Sequence, residues 1–67
     1  MTRYSVVYIK IGSNGEDVVV GPENMRLTAD TRSTAEDEAL ASASRPPEAQ
    51  GMKIFCENQF EPRKVWF

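Results

Sequence analysis

Histidine is absent from this 67-residue sequence, and its absence limits the chemistry available to the chain. Histidine is the side chain that most often serves as a general base near neutral pH. Without it, Ser-His and Cys-His nucleophilic pairs are excluded within one protomer. We therefore predict a protein that is not an enzyme, and we assign no catalytic residue.

Cysteine is nearly as scarce, with Cys56 as the single example. One cysteine excludes an internal disulfide, and a chain without histidine has no Cys/His cluster for structural zinc. Cys56 follows Ile54 and Phe55 in an apolar run, where a free cysteine is commonly buried and unreactive. We predict no metal site and no cofactor, and the cysteine usage favours a reducing, cytoplasmic location.

The sequence also lacks a long hydrophobic run and a strong excess of charge. No apolar run approaches the roughly 18 residues of a membrane-spanning helix, and the first residues do not resemble a signal peptide, so we expect no membrane partner. Eight Lys and Arg against ten Asp and Glu give a net charge of -2. Because nucleic acids attract basic proteins, this balance predicts no direct binding of nucleic acid.

The clearest structural signal that is present is a helix over residues 33–44, STAEDEALASAS. Ser33 followed three residues later by Glu36 fits a capping box, and Arg45 before two prolines marks the end of the helix. The acidic side chains then lie in the first turns, where the helix dipole favours them. Helical periodicity predicts a narrow apolar face that packs on a sheet, made of Ala35, Ala39, Leu40 and Ala43.

Strand patterns precede this helix. Residues 3–11, RYSVVYIKI, are rich in β-branched and aromatic side chains and predict the first strand. The Asn-Gly pair at positions 14–15 predicts a hairpin turn, because both residues accept a positive φ. A second strand is predicted over residues 16–20; a Gly-Pro pair interrupts it, and it resumes over residues 24–29.

Strand patterns also follow the helix. Residues 52–57, MKIFCE, predict a third strand, and residues 60–67 predict a fourth at the sheet edge because of their proline. The predicted fold class is α+β, an antiparallel sheet of three or four strands with one helix packed across it (ββαβ or ββαββ), in a single domain over residues 1–67. In the first strand, we expect Tyr4 and Tyr8 to line the face away from the helix, with their hydroxyls in water.

An acidic patch is the first candidate surface for binding a partner. Glu36, Asp37 and Glu38 project from the helix start, and Glu16 and Asp17 of the hairpin are candidates to extend the patch toward a basic partner. The alternative interpretation is a solvated helix start whose carboxylates serve only the cap and the dipole.

Aromatic residues form the second candidate surface. Val65, Trp66 and Phe67 either complete the core as an edge strand or anchor another chain. Tight binding needs an apolar centre, and the candidates for it, where they are exposed, are Tyr4, Tyr8, Trp66 and Phe67.

The helix run TAEDEALASA, between an Asn-Gly hairpin and the strand MKIFCE, resembles very small bacteriophage proteins that act on host machinery. One such group is the inhibitor of bacterial RNA polymerase from T7-like viruses, whose helix carries a D-E-A-L core, here Asp37, Glu38, Ala39 and Leu40. The other is the anti-CRISPR proteins, which are similar in size and in their use of acidic surface. The chain departs from the polymerase inhibitor in its longer hairpin region and its aromatic C-terminus.

This resemblance implies a non-enzymatic inhibitor that binds a host protein or protein–nucleic acid complex in the cytoplasm of the host cell. The implied first target is a CRISPR effector, and bacterial RNA polymerase is the alternative. A small structural or assembly protein is a further class, because exposed strand edges recruit other chains through main-chain pairing.

Overall fold

The protein has an α+β fold in which one helix packs on an antiparallel sheet. The structure, a computed structural model, describes residues 2–21, 25–57 and 61–67. Its elements in chain order are β1 (Thr2–Ile11), β2 (Asp17–Val19), β3 (Met25–Ala29), α1 (Arg32–Ala41), β4 (Gly51–Cys56) and β5 (Arg63–Trp66). The predicted fold class is confirmed, but within these residues the sheet has five strands rather than three or four.

The long strand β1 is the centre of the sheet. On one edge it pairs first with β3, through residues 2–6, and then with β2, through residues 9–11. On its other edge it pairs with β4, and β5 pairs with the far side of β4. The predicted second strand is therefore two strands that lie end to end along β1. Gly21 lies between them with a φ of 73°, a conformation that favours glycine.

The hairpin turn between β1 and β2 is confirmed. Gly15 has a φ of 81°, and the Gly12 N–H donates to the Glu16 carbonyl oxygen at 2.7 Å. The predicted strand starts at positions 24 and 60 lie outside the described residues. The last strand forms at the sheet edge as predicted, beginning at Arg63 within the described part of the chain.

The orientation predicted for the tyrosines is wrong. Tyr4, Val6 and Tyr8 point toward the helix and are buried with Met52 and Ile54 of β4. The physical reason is that the Tyr8 hydroxyl finds a buried partner: it donates to the main-chain carbonyl oxygen of Ala39 in α1 at 2.8 Å. A satisfied hydroxyl allows the whole ring to enter the core.

The N-cap of the helix lies two residues before the predicted one. Thr31, not Ser33, is the N-cap, and its Oγ1 accepts from the Thr34 N–H at 3.2 Å. The predicted capping box is therefore wrong. No residue of the first turn is acidic, so Glu36 and its two successors do not have the predicted dipole contact.

The helix also ends before the predicted position. Ser42 is the C-cap, with an extended backbone (ψ 137°), and its Oγ accepts from the Ser44 N–H at 3.1 Å. This side-chain bond offers the backbone an alternative to the helix. Ala35 and Ala39 are buried as predicted, whereas Ala43 lies beyond the helix and is exposed.

Candidate functional site

The first candidate surface is the acidic ridge, which we define as Glu36, Asp37 and Glu38 of α1. Asp37 and Glu38 are exposed, whereas Glu36 is half-buried. Arg63 of β5 places its Nε 3.2 Å from Glu36 Oε1, as an ion pair without hydrogen-bond geometry. The second turn of the helix is thus tied to the edge strand by Glu36, and the two exposed carboxylates supply most of the charge on the ridge.

The two hairpin carboxylates do not join this ridge. Glu16 folds over its own turn, where its Oε2 accepts from the Asn14 N–H at 3.0 Å. Asp17 lies on the opposite face of the sheet, because it pairs with Ile11 on the side of β1 that faces away from the helix. The predicted extension of the acidic patch is therefore corrected: turn geometry holds Glu16, and strand alternation turns Asp17 away.

The second candidate surface is the sheet face opposite the helix, which we call the open face. Among the described residues, the one helix packs on the other side of the sheet. Strand register assigns the open face the following residues: Arg3, Ser5, Val7, Ile9, Ile11, Asp17, Val19, Arg26, Thr28, Gly51, Lys53, Phe55, Lys64 and Trp66.

One end of the open face is built around Trp66. A Cβ placed on Gly51 would lie only 2.6 Å from Trp66 Cε3, so the ring occupies the space that a side chain at position 51 would need. Ile9 pairs with Gly51 and is only 1% exposed, although no secondary-structure element of the described chain covers this face. Trp66 itself remains 47% exposed. The tail thus divides, with Val65 against the core and Trp66 on the open face.

Two lysines and one carboxylate lie beside this ring. Asp17 Oδ2 lies 2.7 Å from Lys64 Nζ and 3.2 Å from Lys53 Nζ. The hydrogen bonds from Lys64 and then Lys53 lower the pKa of Asp17 below its ordinary value of 3.8. Lys64 Nζ also lies 5.4 Å from the centroid of the Trp66 ring, within the range of a cation–π contact.

The other end of the open face holds two arginines. Arg26, Ser5 and Phe55 lie side by side across β3, β1 and β4, and Arg3 is paired with Thr28 in the next row. These residues line a groove of about 590 Å³, and both arginines are exposed at its rim. Sequence reasoning missed this site because two arginines 23 positions apart become neighbours only through the pairing of β1 with β3.

Tyr8 is not a surface residue. It is fully buried, and its hydroxyl is bonded to the helix, so the candidate contact role does not apply to it. Cys56 is half-buried at the edge of the core. Within the described ranges, no group of three or more His, Cys, Asp or Glu is placed to hold a metal ion. No described helix is long and apolar enough to cross a membrane.

No family model, curated protein or solved structure matches this chain. The acidic ridge and the open face therefore carry the functional inference.

Proposed function

We propose that this protein is a non-enzymatic inhibitor that binds a basic surface of a larger complex through its acidic ridge. The observation that carries the proposal is the exposure of Asp37 and Glu38 on a helix whose opposite side packs on the sheet. Ala35 and Ala39 are fully buried against the sheet, and the Tyr8 hydroxyl bonds the helix backbone at Ala39. The two carboxylates are therefore presented by a rigid backbone.

Rigidity matters because binding costs conformational freedom. A charge that is already held in position loses less entropy on association than one on a flexible loop. Complementary charge mainly speeds encounter and excludes wrong partners, while apolar contacts supply most of the affinity. Phe67 is 47% exposed and is an apolar group available for such contacts, whereas Leu40, beside the ridge, is half-buried and packs against the core.

The partner that fits is a basic groove which normally holds nucleic acid, in the cytoplasm of a host cell. We favour a CRISPR effector as the target and keep bacterial RNA polymerase as the alternative. Support comes from the acidic charge of the ridge and from the resemblance of the D-E-A-L helix to small phage proteins. A structural or assembly role is the remaining alternative.

Charge reversal on the ridge tests the proposal. The variant is Asp37→Lys/Glu38→Lys, and the matched control is Glu48→Lys/Glu61→Lys, which reverses two exposed carboxylates outside the ridge. Binding to a purified CRISPR effector and to RNA polymerase is measured over a range of ionic strength. We expect the ridge variant alone to lose affinity and salt dependence.

Circular dichroism checks that both variants keep the fold. Equal binding by the ridge variant and the unchanged protein at every ionic strength would show that the ridge has no role. Self-association in sedimentation, without binding to either complex, would favour the assembly alternative.

A further inference from the structure

The open face is a second surface, which the proposed function does not use. We propose that it binds single-stranded nucleic acid, with bases stacked on Trp66 and Phe55 and phosphates held by the arginines and lysines around them. Three observations carry this: the segregation of charge between the two faces, the alternation of cations with aromatic rings, and the two neighbouring arginines of the groove.

Charge is unevenly distributed between the two faces. Half of the eight basic side chains lie on the open face: Arg3, Arg26, Lys53 and Lys64. Two carboxylates share it, Asp17 and Glu57, whose position continues the alternation of β4. Four cations against two carboxylates leave +2 on this face, so the rest of the chain carries -4 and the total is -2. The net charge of the sequence therefore conceals a basic face.

Cations and aromatic rings alternate along this face. Starting at the groove, the order is the two arginines, Phe55, the two lysines and Trp66. Proteins that bind single strands combine aromatic platforms, on which bases stack, with cations that follow the phosphates. Phe55 is four residues along β4 from Gly51, against which Trp66 lies, so the two rings are separated by roughly 13 Å along the strand.

The groove gives the strongest argument for an anionic ligand. Arg3 and Arg26 are diagonal neighbours on adjacent strands, where long side chains are within reach of each other, so their like charges repel. Neither has an ion pair within 4.0 Å among the described salt bridges, whereas Asp17 neutralises part of the lysine charge. Guanidinium groups bind phosphate through two parallel hydrogen bonds, and Ser5 and Thr28 offer hydroxyl donors beside them. Glu57 also lines the groove and reduces its positive charge.

A nucleic acid fits this face better than an acidic protein. A protein interface concentrates apolar side chains at its centre and leaves charge at the rim. Here Ile11 and Val19, both about half exposed, lie at one end of the face, and Lys53 lies at its centre. A polymer that alternates phosphates with flat bases matches this arrangement. It must be single-stranded, because paired bases are not available for stacking on a sheet.

Trp66 fluorescence provides a direct test, because it is the only tryptophan of the chain. Unstructured oligo(dT) and oligo(U) are titrated into the full chain at low salt, and a duplex of the same length serves as the comparison. We expect both single strands to quench Trp66 and the duplex to bind more weakly. Anisotropy of labelled oligonucleotide provides the affinity for variants that lack the tryptophan.

Four variants separate the contributions. Trp66→Leu is expected to weaken binding by about fivefold to a hundredfold, the range of one base–aromatic stack. Arg3→Gln/Arg26→Gln is expected to weaken it and to lower the salt slope by about 0.7 for each phosphate that is no longer bound. Asp17→Asn releases both lysines and is expected to tighten binding. The matched control is Arg45→Gln, since Arg45 lies over Phe67, away from the open face, and its loss is expected to leave affinity nearly unchanged.

Several results would overturn the proposal. The proposal fails if neither oligo(dT) nor oligo(U) binds at low salt. It also fails if the duplex binds as tightly as the single strands. An equal loss on Arg45→Gln and on the arginine pair would indicate unspecific attraction. Competition by polyglutamate as effective as that by oligo(dT) would show that the face recognises an acidic polypeptide instead. The ridge variants of the proposed function do not enter this test, so either proposal can fail alone.

Discussion

The two faces of the sheet are built from the same strands and have opposite characters. Every second residue of β1 points to the helix, and Tyr4, Val6 and Tyr8 are buried there. The intervening residues, among them Arg3 and Val7, point to the open face, where no helix of the described chain packs. One face uses its apolar area for stability, and the other leaves rings and cations available for a partner.

The comparison teaches that apolar content alone does not distinguish a core face from a binding face. Both faces contain large apolar groups, and those on the helix side form one connected, buried cluster. On the open face Ile9 is covered locally, while Trp66 and Val19 stay about half exposed. The second face is thus expected to contribute less to folding than its composition indicates.

Adjacent valines in β1 give the largest expected contrast between the faces. Val6 is fully buried in the core, whereas Val7 is half-buried on the open face. Val6→Ala is expected to cost about 2 to 3 kcal/mol, because it removes methyl groups from a packed site and leaves a cavity. Val7→Ala is expected to cost less than about 1 kcal/mol, since solvent fills the space.

Chemical denaturation of both valine variants provides the measurement. The two substitutions delete the same atoms from the same strand, so differences in β-propensity cancel. Equal losses of unfolding free energy in the two variants would mean that the open face is covered in solution and is not a free surface.

Gly51 tests how tightly the open face is closed around Trp66. A Cβ there would meet Trp66 Cε3 at 2.6 Å and the Val65 carbonyl oxygen at 2.7 Å, and the main-chain atom has little freedom to move. Gly51→Ala is expected to cost about 1 to 3 kcal/mol by overpacking and to shift Trp66 emission to the red as the ring is displaced.

Gly15→Ala is the control, because it also replaces a glycine by alanine but does not crowd a neighbouring side chain. Apart from Gly15 and its two chain neighbours, no heavy atom of the described residues lies within 4 Å of the position that a methyl group on Gly15 would take. The φ there is 81°, so the cost comes from the backbone alone. The Trp66 emission of this variant is expected to stay unchanged. Unchanged emission in Gly51→Ala as well would show that the ring does not rest on position 51.

The strands were largely predictable from sequence because their signals are local. Alternation located β1, the Asn-Gly pair located the hairpin, and the Gly-Pro pair located the break now seen between β2 and β3. The sequence alone predicts an interruption of one strand at this position. That it separates two strands, both paired with β1, depends on the length of β1, which exceeds that of either partner.

The orientation of the faces was not predictable in the same way. Both faces of β1 carry apolar residues, so alternation alone does not say which one meets the helix. Tyrosine is usually placed with its hydroxyl in water, whereas Tyr8 satisfies its hydroxyl on the Ala39 carbonyl oxygen, 31 positions away. The prediction of the helix cap was wrong for a local reason. Threonine and serine are both common N-cap residues, and Thr31 rather than Ser33 is the residue that caps the helix.

The composition of the candidate surfaces depends on strand pairing even more strongly than the orientation of the faces does. The ridge is contiguous in sequence and was found, whereas Asp17, Lys53 and Lys64 meet only through the sheet. Net charge led to the expectation that nucleic acid is not bound directly. That expectation averages over the two faces, and the proposed use of the open face depends on their separation.

The smallest expected effect concerns the ion pairs of Asp17 on the open face. Lys64 and Lys53 lower the pKa of this carboxyl, so the folded protein holds its charged form more strongly than the unfolded chain. A carboxyl with a lowered folded pKa stabilises the fold above its unfolded pKa and loses that contribution as the pH falls through the folded value. The contribution is thus expected at neutral pH and is lost below the ordinary aspartate value of 3.8.

Unfolding free energies of the unchanged protein and of Asp17→Asn, measured from neutral to acid pH, test this link. We expect the gap between the two to be constant near neutral pH and to narrow below about pH 4 as the aspartate takes up a proton. Added salt should also narrow it, because both lysine partners are partly exposed and the pairs are screened. Asp37→Asn removes the same group from the helix side, outside the ion pairs of the described residues, and is the matched control for the loss of a carboxylate. A gap for Asp17→Asn that persists unchanged into acid would mean that the lysines do not hold this carboxylate, and that they lie free on the open face.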